Sequence, residues 1–266
     1  MTPKHCIFAA LCLLAGGLAS CSSNDDEQPA NNIWTLNVKA TKGDTPASRA
    51  LSYDGTNITA TWKAGETVDV RVYLELVTRG TLYAQDNGTE VDLKGTITGT
   101  DYSAAQDNQT QLSLWFPDYR KSDAYLGQNG TLEDIAAHFD YAHAYVTVES
   151  VDASNHVLTT TPATFVNAQA IVKFTLLDKN DKALSVSELT VTKTETKEGK
   201  EVVTEIANAS LDEAGSVVWL SIPEVSNTTI HLTATVGDHT YTFTKRPVTF
   251  APSNFYRITV KMSLSN

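Results

Sequence analysis

His138 and His143 stand five residues apart with Asp140 between them. Imidazole and carboxylate are good metal ligands, but two histidines reach one ion from i and i+4 on a helix or from alternate positions of a strand. The helical pattern ends between these two, which leaves them surface or packing roles. No Gly-x-Ser-x-Gly elbow occurs, and no cysteine beyond position 21 is available as a nucleophile. Carboxylates are abundant, 31 Asp and Glu, yet none is marked by its neighbours as half of an acid/base pair. The sequence therefore predicts a non-enzyme with no catalytic residue, no metal and no cofactor. Trp34, Trp62, Trp115 and Trp219 leave two uses open. Exposed indoles stack on sugar rings, whereas indoles in alternating strands fill a sandwich core. Each sits in or beside such a strand, which favours the core.

The one thiol with a chemical role in its surroundings is Cys21. An apolar run of about a dozen residues, Ile7 to Leu18, precedes it. That is shorter than the roughly 20 residues a membrane-spanning helix needs and has the layout of a secretory signal. Leu18-Ala19-Ser20-Cys21 looks like a bacterial lipobox. On that reading residues 1–20 are removed and the Cys21 thiol is diacylated, a palmitate-type anchor in the outer membrane. The alternative is an ordinary signal peptide with Cys21 incidental. Residues 21–32 read as an acidic tether. Its Ser22-Ser23-Asn24-Asp25-Asp26-Glu27 resembles the export signal that places lipoproteins of the Bacteroides group on the cell surface, although a solvated linker has the same composition.

The 266 residues carry a net charge of −11, or −12 once residues 1–20 and their single lysine are gone. That balance argues against nucleic acid as a partner. Cys6, Cys12 and Cys21 are the three cysteines, so the folded part has no disulfide to rely on. It must be held by its core and its sheet hydrogen bonds, as two β-sandwiches of ordinary size would be.

The elements that must position these residues read almost entirely as strands. Apolar and polar residues alternate over Ile33–Val38, Val68–Tyr73, Leu112–Phe116, Ile230–Val236 and Ile258–Leu264. Period-2 patterning rich in Val, Ile, Thr and Tyr marks half-buried strands. Asp54-Gly55, Asn87-Gly88 and Gly237-Asp238 supply turns. One stretch has helical spacing: Leu132, Ile135, Ala136 and Phe139 share a face, and Thr131 with Asp134 resembles a capping box. A break near residues 158–164, at Thr159-Thr160-Thr161-Pro162, divides the chain into an N-terminal β domain, 33–160, which holds the helix, and a C-terminal one, 161–266. Lys193 to Glu205 reads as an exposed hairpin tip.

Three segments together resemble the fimbrillin family, lipoprotein-derived fimbrial subunits. Ala60-Thr61-Trp62-Lys63-Ala64-Gly65-Glu66-Thr67-Val68-Asp69-Val70 is similar to the family's Trp-x-x-Gly-Asp/Glu-x-Val-x-Val strand–turn–strand. Tyr125-Leu126-Gly127-Gln128-Asn129-Gly130-Thr131-Leu132, followed by Ile135-Ala136 and Phe139-Asp140-Tyr141-Ala142-His143-Ala144, is similar to the segment that closes the family's N-terminal domain. Phe255-Tyr256-Arg257-Ile258-Thr259-Val260-Lys261 looks like its last strand.

The resemblance implies an all-β fold of two tandem transthyretin-like sandwiches, displayed on the outer membrane and in a fimbrium. It implies that an Arg-specific protease removes an N-terminal strand and that a strand from the next subunit replaces it. Ile33, Trp34, Leu36 and Val38 then belong to the strand within the removable segment 33–49. Arg49 and Ala50 flank the candidate cleavage point, with the polar linker Thr41–Ser48 before them. Ile258, Val260, Met262 and Leu264 form the candidate C-terminal strand, either offered to a neighbour or used to complete the second domain. Implied partners are other fimbrial subunits, the outer membrane through the lipid, and a host or bacterial surface ligand. The alternative is a monomeric surface lipoprotein that binds glycans or host ligands through an exposed aromatic row.

Overall fold

Backbone pairing in the computed structural model follows the alternating segments. It describes residues 33–42, 51–75, 77–99, 102, 110–118 and 125–265. Cys21, the 1–20 signal, the 21–32 tether, Arg49 and Ala50 lie outside the described residues. In chain order the strands of the first half are β1 (Trp34–Lys42), β2 (Ser52–Tyr53), β3 (Ile58–Thr59), β4 (Thr67–Val72), β5 (Thr78–Ala84), β6 (Glu90–Ile97) and β7 (Gln111–Phe116). A helical segment follows, α1 (Leu132–Asp134) continued by a π-helical turn over Ile135–Phe139. Then come β8 (Ala142–Asp152), β9 (Val157–Thr160) and β10 (Ala163–Asn167). The rest is β11 (Gln169–Leu177), β12 (Val186–Lys197), β13 (Lys200–Gly215), β14 (Val217–Pro223), β15 (Val225–Val236), β16 (His239–Phe250), β17 (Phe255–Lys261) and β18 (Ser263–Leu264).

The all-β reading holds, and the first sheet closes on itself. Its eight strands run β10-β1-β6-β5-β4-β7-β8-β9, and further pairings of β8 with β10 and β1 with β9 join the two ends into a barrel-like sheet. Closure removes free edges. Gly80 and Gly95 let β5 and β6 approach closely. A Cβ on Gly80 would fall 2.0 Å from the Thr96 carbonyl oxygen, and one on Gly95 would fall 2.1 Å from that of Thr81. Inside lies an apolar core of Trp34, Leu36, Val38, Trp62, Leu82, Leu93, Leu112, Phe116 and Val146, among others.

Hydrogen bonding passes from the first sheet to the next at Ala168, because β10 still pairs with β1 and β8. Beyond it, a three-stranded sheet (β14-β11-β17) and a five-stranded sheet (β13-β12-β15-β16-β18) enclose a second core that includes Val172, Phe174, Leu189, Leu220, Leu232 and Met262. The charged stretch at Lys193–Glu205 spans the turn of the β12–β13 hairpin. Glu198 and Gly199 both take positive φ there, and residues 196–205 are exposed.

The helix caps as its sequence predicts: the Thr131 side chain accepts from the Asp134 amide at 3.1 Å. Its location differs from the expectation. Leu132 and Ile135 pack on Ile171, beside Phe139, Trp219 and Phe255, so the helix covers the outer face of the three-stranded sheet in the second half. The reason lies in the residues before it. Gln128 is 1% exposed, and its main chain bonds to Asn208 and Ser210 of β13. Its side chain donates to the Ser221 carbonyl at 2.9 Å and accepts from the Ser221 amide at 2.8 Å on β14. One glutamine thus bridges the edges of the two sheets of the second half. Gln128→Leu leaves two buried main-chain groups of Ser221 unpaired. Urea unfolding is expected to show a loss of about 2–3 kcal/mol, whereas Asn129→Ala, outside this bridge, loses less.

Candidate functional site

The longest-range demands in the first half converge on β1. Its alternation is strict: Trp34, Leu36, Val38, Ala40 and Lys42 are buried, while Thr35, Asn37, Lys39 and Thr41 are more exposed. One edge pairs antiparallel with β6 along Trp34–Thr41. The other pairs parallel, first with β9 at Thr35–Asn37 and then with β10 at Ala40–Lys42. Main-chain groups on both edges are thereby used, and every second side chain enters the core.

The two ends of the strand are held differently. Trp34 meets Tyr102 edge-on with ring centroids 6.1 Å apart, and His156 at 4.8 Å. At the far end Lys42 points inward, where alternation calls for an apolar residue. Its ammonium donates to Glu66 Oε2 at 3.0 Å and to the Thr61 carbonyl at 3.2 Å. It also sits 4.1 Å from the centroid of the Trp62 ring and 4.7 Å from that of Phe116. The side chains of Lys42 and Glu66 are 3% and 5% exposed, so this pair is fully desolvated. A cation over an indole face gains from the ring's negative quadrupole, and more so out of water.

The Trp-x-x-Gly-Glu segment builds the receiving end. Gly65 takes φ +86° in the turn after Trp62, and the Glu66 amide bonds back to the Lys63 carbonyl at 3.1 Å. The main chain of Gly65 and Glu66 exchanges hydrogen bonds with Ala84 at 2.8 and 2.9 Å, which fixes the carboxylate to the frame of the barrel rather than to β1. Trp62 is locked edge-on between Phe116 and Phe165 at 5.4 and 5.2 Å. Sequence reasoning found the segment but missed the Lys42–Glu66 pair. The signal was available: Lys42 continues the period-2 inward row begun by Trp34.

The other predicted residues fall as follows. Ile33 precedes β1 and is 49% exposed, outside the inward row. After the linker the chain reappears in the second half: Leu51, Tyr53 and Ile58 pack beside Trp219, Phe255 and Ile171. Tyr53 lies edge-on to Trp219 at 5.1 Å, Lys173 sits over both rings, and Arg257 donates to the Gly55 carbonyl at 2.8 Å. The C-terminal run is built into the second half. Ile258 and Val260 lie in β17, which pairs parallel with β11. Met262 is 1% exposed, and Leu264 in β18 pairs with Tyr241 of β16. Val260 and Met262 belong to the second core.

Among the described residues no three or more His, Cys, Asp or Glu side chains gather to hold a metal. His138 bonds to Asp134 at 2.8 Å, whereas His143 stacks on Trp115 at 5.2 Å. Trp34 and Trp62 are core residues and Trp219 is half-buried. The half-buried Trp115 opens an outward-facing aromatic row across β7, β8 and the end of β4. It continues through His143 to Tyr145, 54% exposed, and Tyr73, 43% exposed, beside a cleft of about 260 Å³.

Several solved structures are similar to the chain at low identity. A candidate cell adhesion protein from Bacteroides uniformis is similar at 13% identity and a TM-score of 0.45, over 90% of this chain and 98% of that one. A fimbrial assembly protein from Parabacteroides distasonis is similar at 12% identity and a TM-score of 0.41, over 85% and 90%. For a fimbrial protein from Bacteroides ovatus the values are 11% and 0.40. There 86% of this chain is covered, and it spans about half, 48%, of the other. No protein-family model and no curated protein matches the chain. With TM-scores below 0.5, these likenesses assign the chain neither a family nor a function.

The inward row of β1 sets the stability of the first half. Leu36 is fully buried. Leu36→Ala is expected to lower the free energy of unfolding in urea by about 2–5 kcal/mol, whereas the outward-facing Asn37→Ala changes it by about 0.5 kcal/mol or less.

Proposed function

We propose that the chain is a subunit of an adhesive surface fimbria, exported as a lipoprotein through Cys21 and assembled by replacement of its own first strand. The observation that carries this reading is the construction of β1. It completes the first sheet along both edges and fills its core, yet it is covalently joined to the rest only through the polar segment that contains Arg49. Cleavage between Arg49 and Ala50 frees it. Its departure leaves a groove between β6 on one side and β9 and β10 on the other, with unpaired main chain on both walls. Such edges demand a strand, and one from another subunit satisfies them through main-chain pairing and alternate side-chain pockets.

The rest of the chain tolerates that loss. Residues 51–59 are docked on the three-stranded sheet, which keeps the new N-terminus attached after the cut. The C-terminal run pairs within the second half, which is consistent with an accessory subunit at the tip or anchor. We read residues 33–167 and 169–264 as the two tandem transthyretin-like modules, each with a core of its own.

Intact mass and terminal sequencing of protein taken from the cell surface test this reading. The expected mature chain starts at Ala50, and Arg49→Ala leaves it starting at a lipidated Cys21. If wild-type protein starts only at lipidated Cys21, the strand is never shed and assembly by this route is wrong.

A second reading draws on the Trp115–His143–Tyr145–Tyr73 row, one stacked and two edge-on ring contacts that leave Tyr145 and Tyr73 open to solvent, where a sugar ring could stack. In that case the protein stays monomeric with its lipid, and Tyr145→Ala abolishes binding on a glycan array without altering its thermal unfolding. Unchanged array binding in that variant removes the second reading.

A further inference from the structure

We propose that the β1 position is charge-coded: the strand that replaces β1 must carry a cation, foremost a lysine, at the Lys42 position, where Glu66 and Trp62 read it. This rests on the strand replacement proposed above and names the chemistry of the partner.

The first ground is which residues leave and which remain. Lys42 is the last residue of β1 and departs with it. Glu66, Trp62, Phe116 and the Thr61 carbonyl belong to the frame. Departure of β1 therefore uncovers a carboxylate that is 5% exposed with Lys42 in place, together with two aromatic faces, all of which had been paired to one ammonium. Glu66 Oε1 has no hydrogen-bond partner even with Lys42 in place, so the frame supplies this carboxylate with little else. Leaving one member of a buried ion pair without its partner is strongly unfavourable, whereas the pair itself adds little over an apolar isostere. Such a pair discriminates between occupants more than it stabilises any one of them.

The second ground is register. The inward row reads Trp34, Leu36, Val38, Ala40, Lys42: an aromatic first, two aliphatics, a small residue and a cation at the ninth residue of the strand. A strand slipped by two residues brings Ala40 or Asp44, neither of them a cation, against Glu66. A slip of one turns the whole row outward. The cation position therefore fixes both the identity and the register of the donor. The occupant is a strand of another subunit with Lys or Arg at the ninth residue, the Lys42 position. Of the outward residues Thr35, Asn37, Lys39 and Thr41, Thr41 makes only long bonds to the Ala163 carbonyl and the Thr164 hydroxyl of β10, at 3.5 and 3.4 Å.

The test uses the intact chain cut at Arg49, either by an Arg-specific protease or at a recognition site inserted there. Labelled peptides of residues 33–49 exchange with the resident fragment, and fluorescence anisotropy follows uptake. The native peptide is expected to outcompete the same peptide carrying Lys42→Met by on the order of a hundredfold. In the Glu66→Gln chain this preference is expected to shrink severalfold or more. Equal uptake of both peptides overturns the charge code and leaves strand replacement standing. No uptake of either overturns both. A cycle on the uncut chain guards against misfolded variants. Lys42→Met raises the unfolded-to-folded ratio in urea much more in wild type than in Glu66→Gln. Equal effects in the two backgrounds also overturn the proposal.

Discussion

The first half of this protein depends on β1 having two partners at once. A barrel-like sheet exists only if its last edge is closed, and here closure falls to the strand nearest the N-terminus. Its parallel pairing with β9 and β10 joins residues more than a hundred positions apart. Parallel pairing cannot be made by a tight hairpin; it needs a long crossover, which here is the whole intervening half of the chain. The interaction that completes the core is therefore the one with the longest loop to close. A strand so placed is well held once in position and is still the element whose loss disturbs the remaining connectivity least.

The second half is held by clusters that contain no residue of that strand. Its two sheets share a core and are tied at one edge by Gln128 and at the other by the run from β17 into β18. The helix and the β2–β3 hairpin cover the outer face of the three-stranded sheet, where Tyr53, Trp219 and Phe255 interlock. Segments from the first half of the sequence thus serve as cladding for the second. The boundary seen in composition near residue 160 and the boundary in hydrogen bonding at Ala168 differ for the same reason: β10 is needed to flank β1.

Local patterns were legible in the sequence and long-range partners were not. Alternation over Ile33–Val38 identified a strand with a buried inward set, that over Ile258–Leu264 one in which Val260 and Met262 are buried, Ile258 half-buried and Leu264 exposed, and Thr131 with Asp134 marked the helix start. Ile33 falls outside because successive residues of an extended chain face opposite sides and Trp34 takes the inward one. Nothing local says that Gln128 will mimic a strand between β13 and β14, because a buried glutamine is polar and reads as a turn residue. Nor does alternation alone say that the first sheet closes. Lys42 was hidden by a habit of reading. An inward lysine breaks the apolar rule, and the rule yields only where a buried carboxylate such as Glu66 meets it.

That exception explains why an acidic chain would hold a lysine so deep. With 31 acidic and 20 basic residues, solvated carboxylates are plentiful and a stray cation finds partners anywhere on the surface. Placing one pair inside, over Trp62 and Phe116, removes it from that competition. Burial also raises the penalty for a mismatch, because a carboxylate only 5% exposed has little water to replace a lost partner. An apolar end to β1 would close the barrel as well and would accept any greasy strand. The buried pair gives up that tolerance. Under the proposed strand replacement, indiscriminate closure would lead to aggregation through open grooves, and a buried charge that rejects apolar strands is a direct physical guard against it.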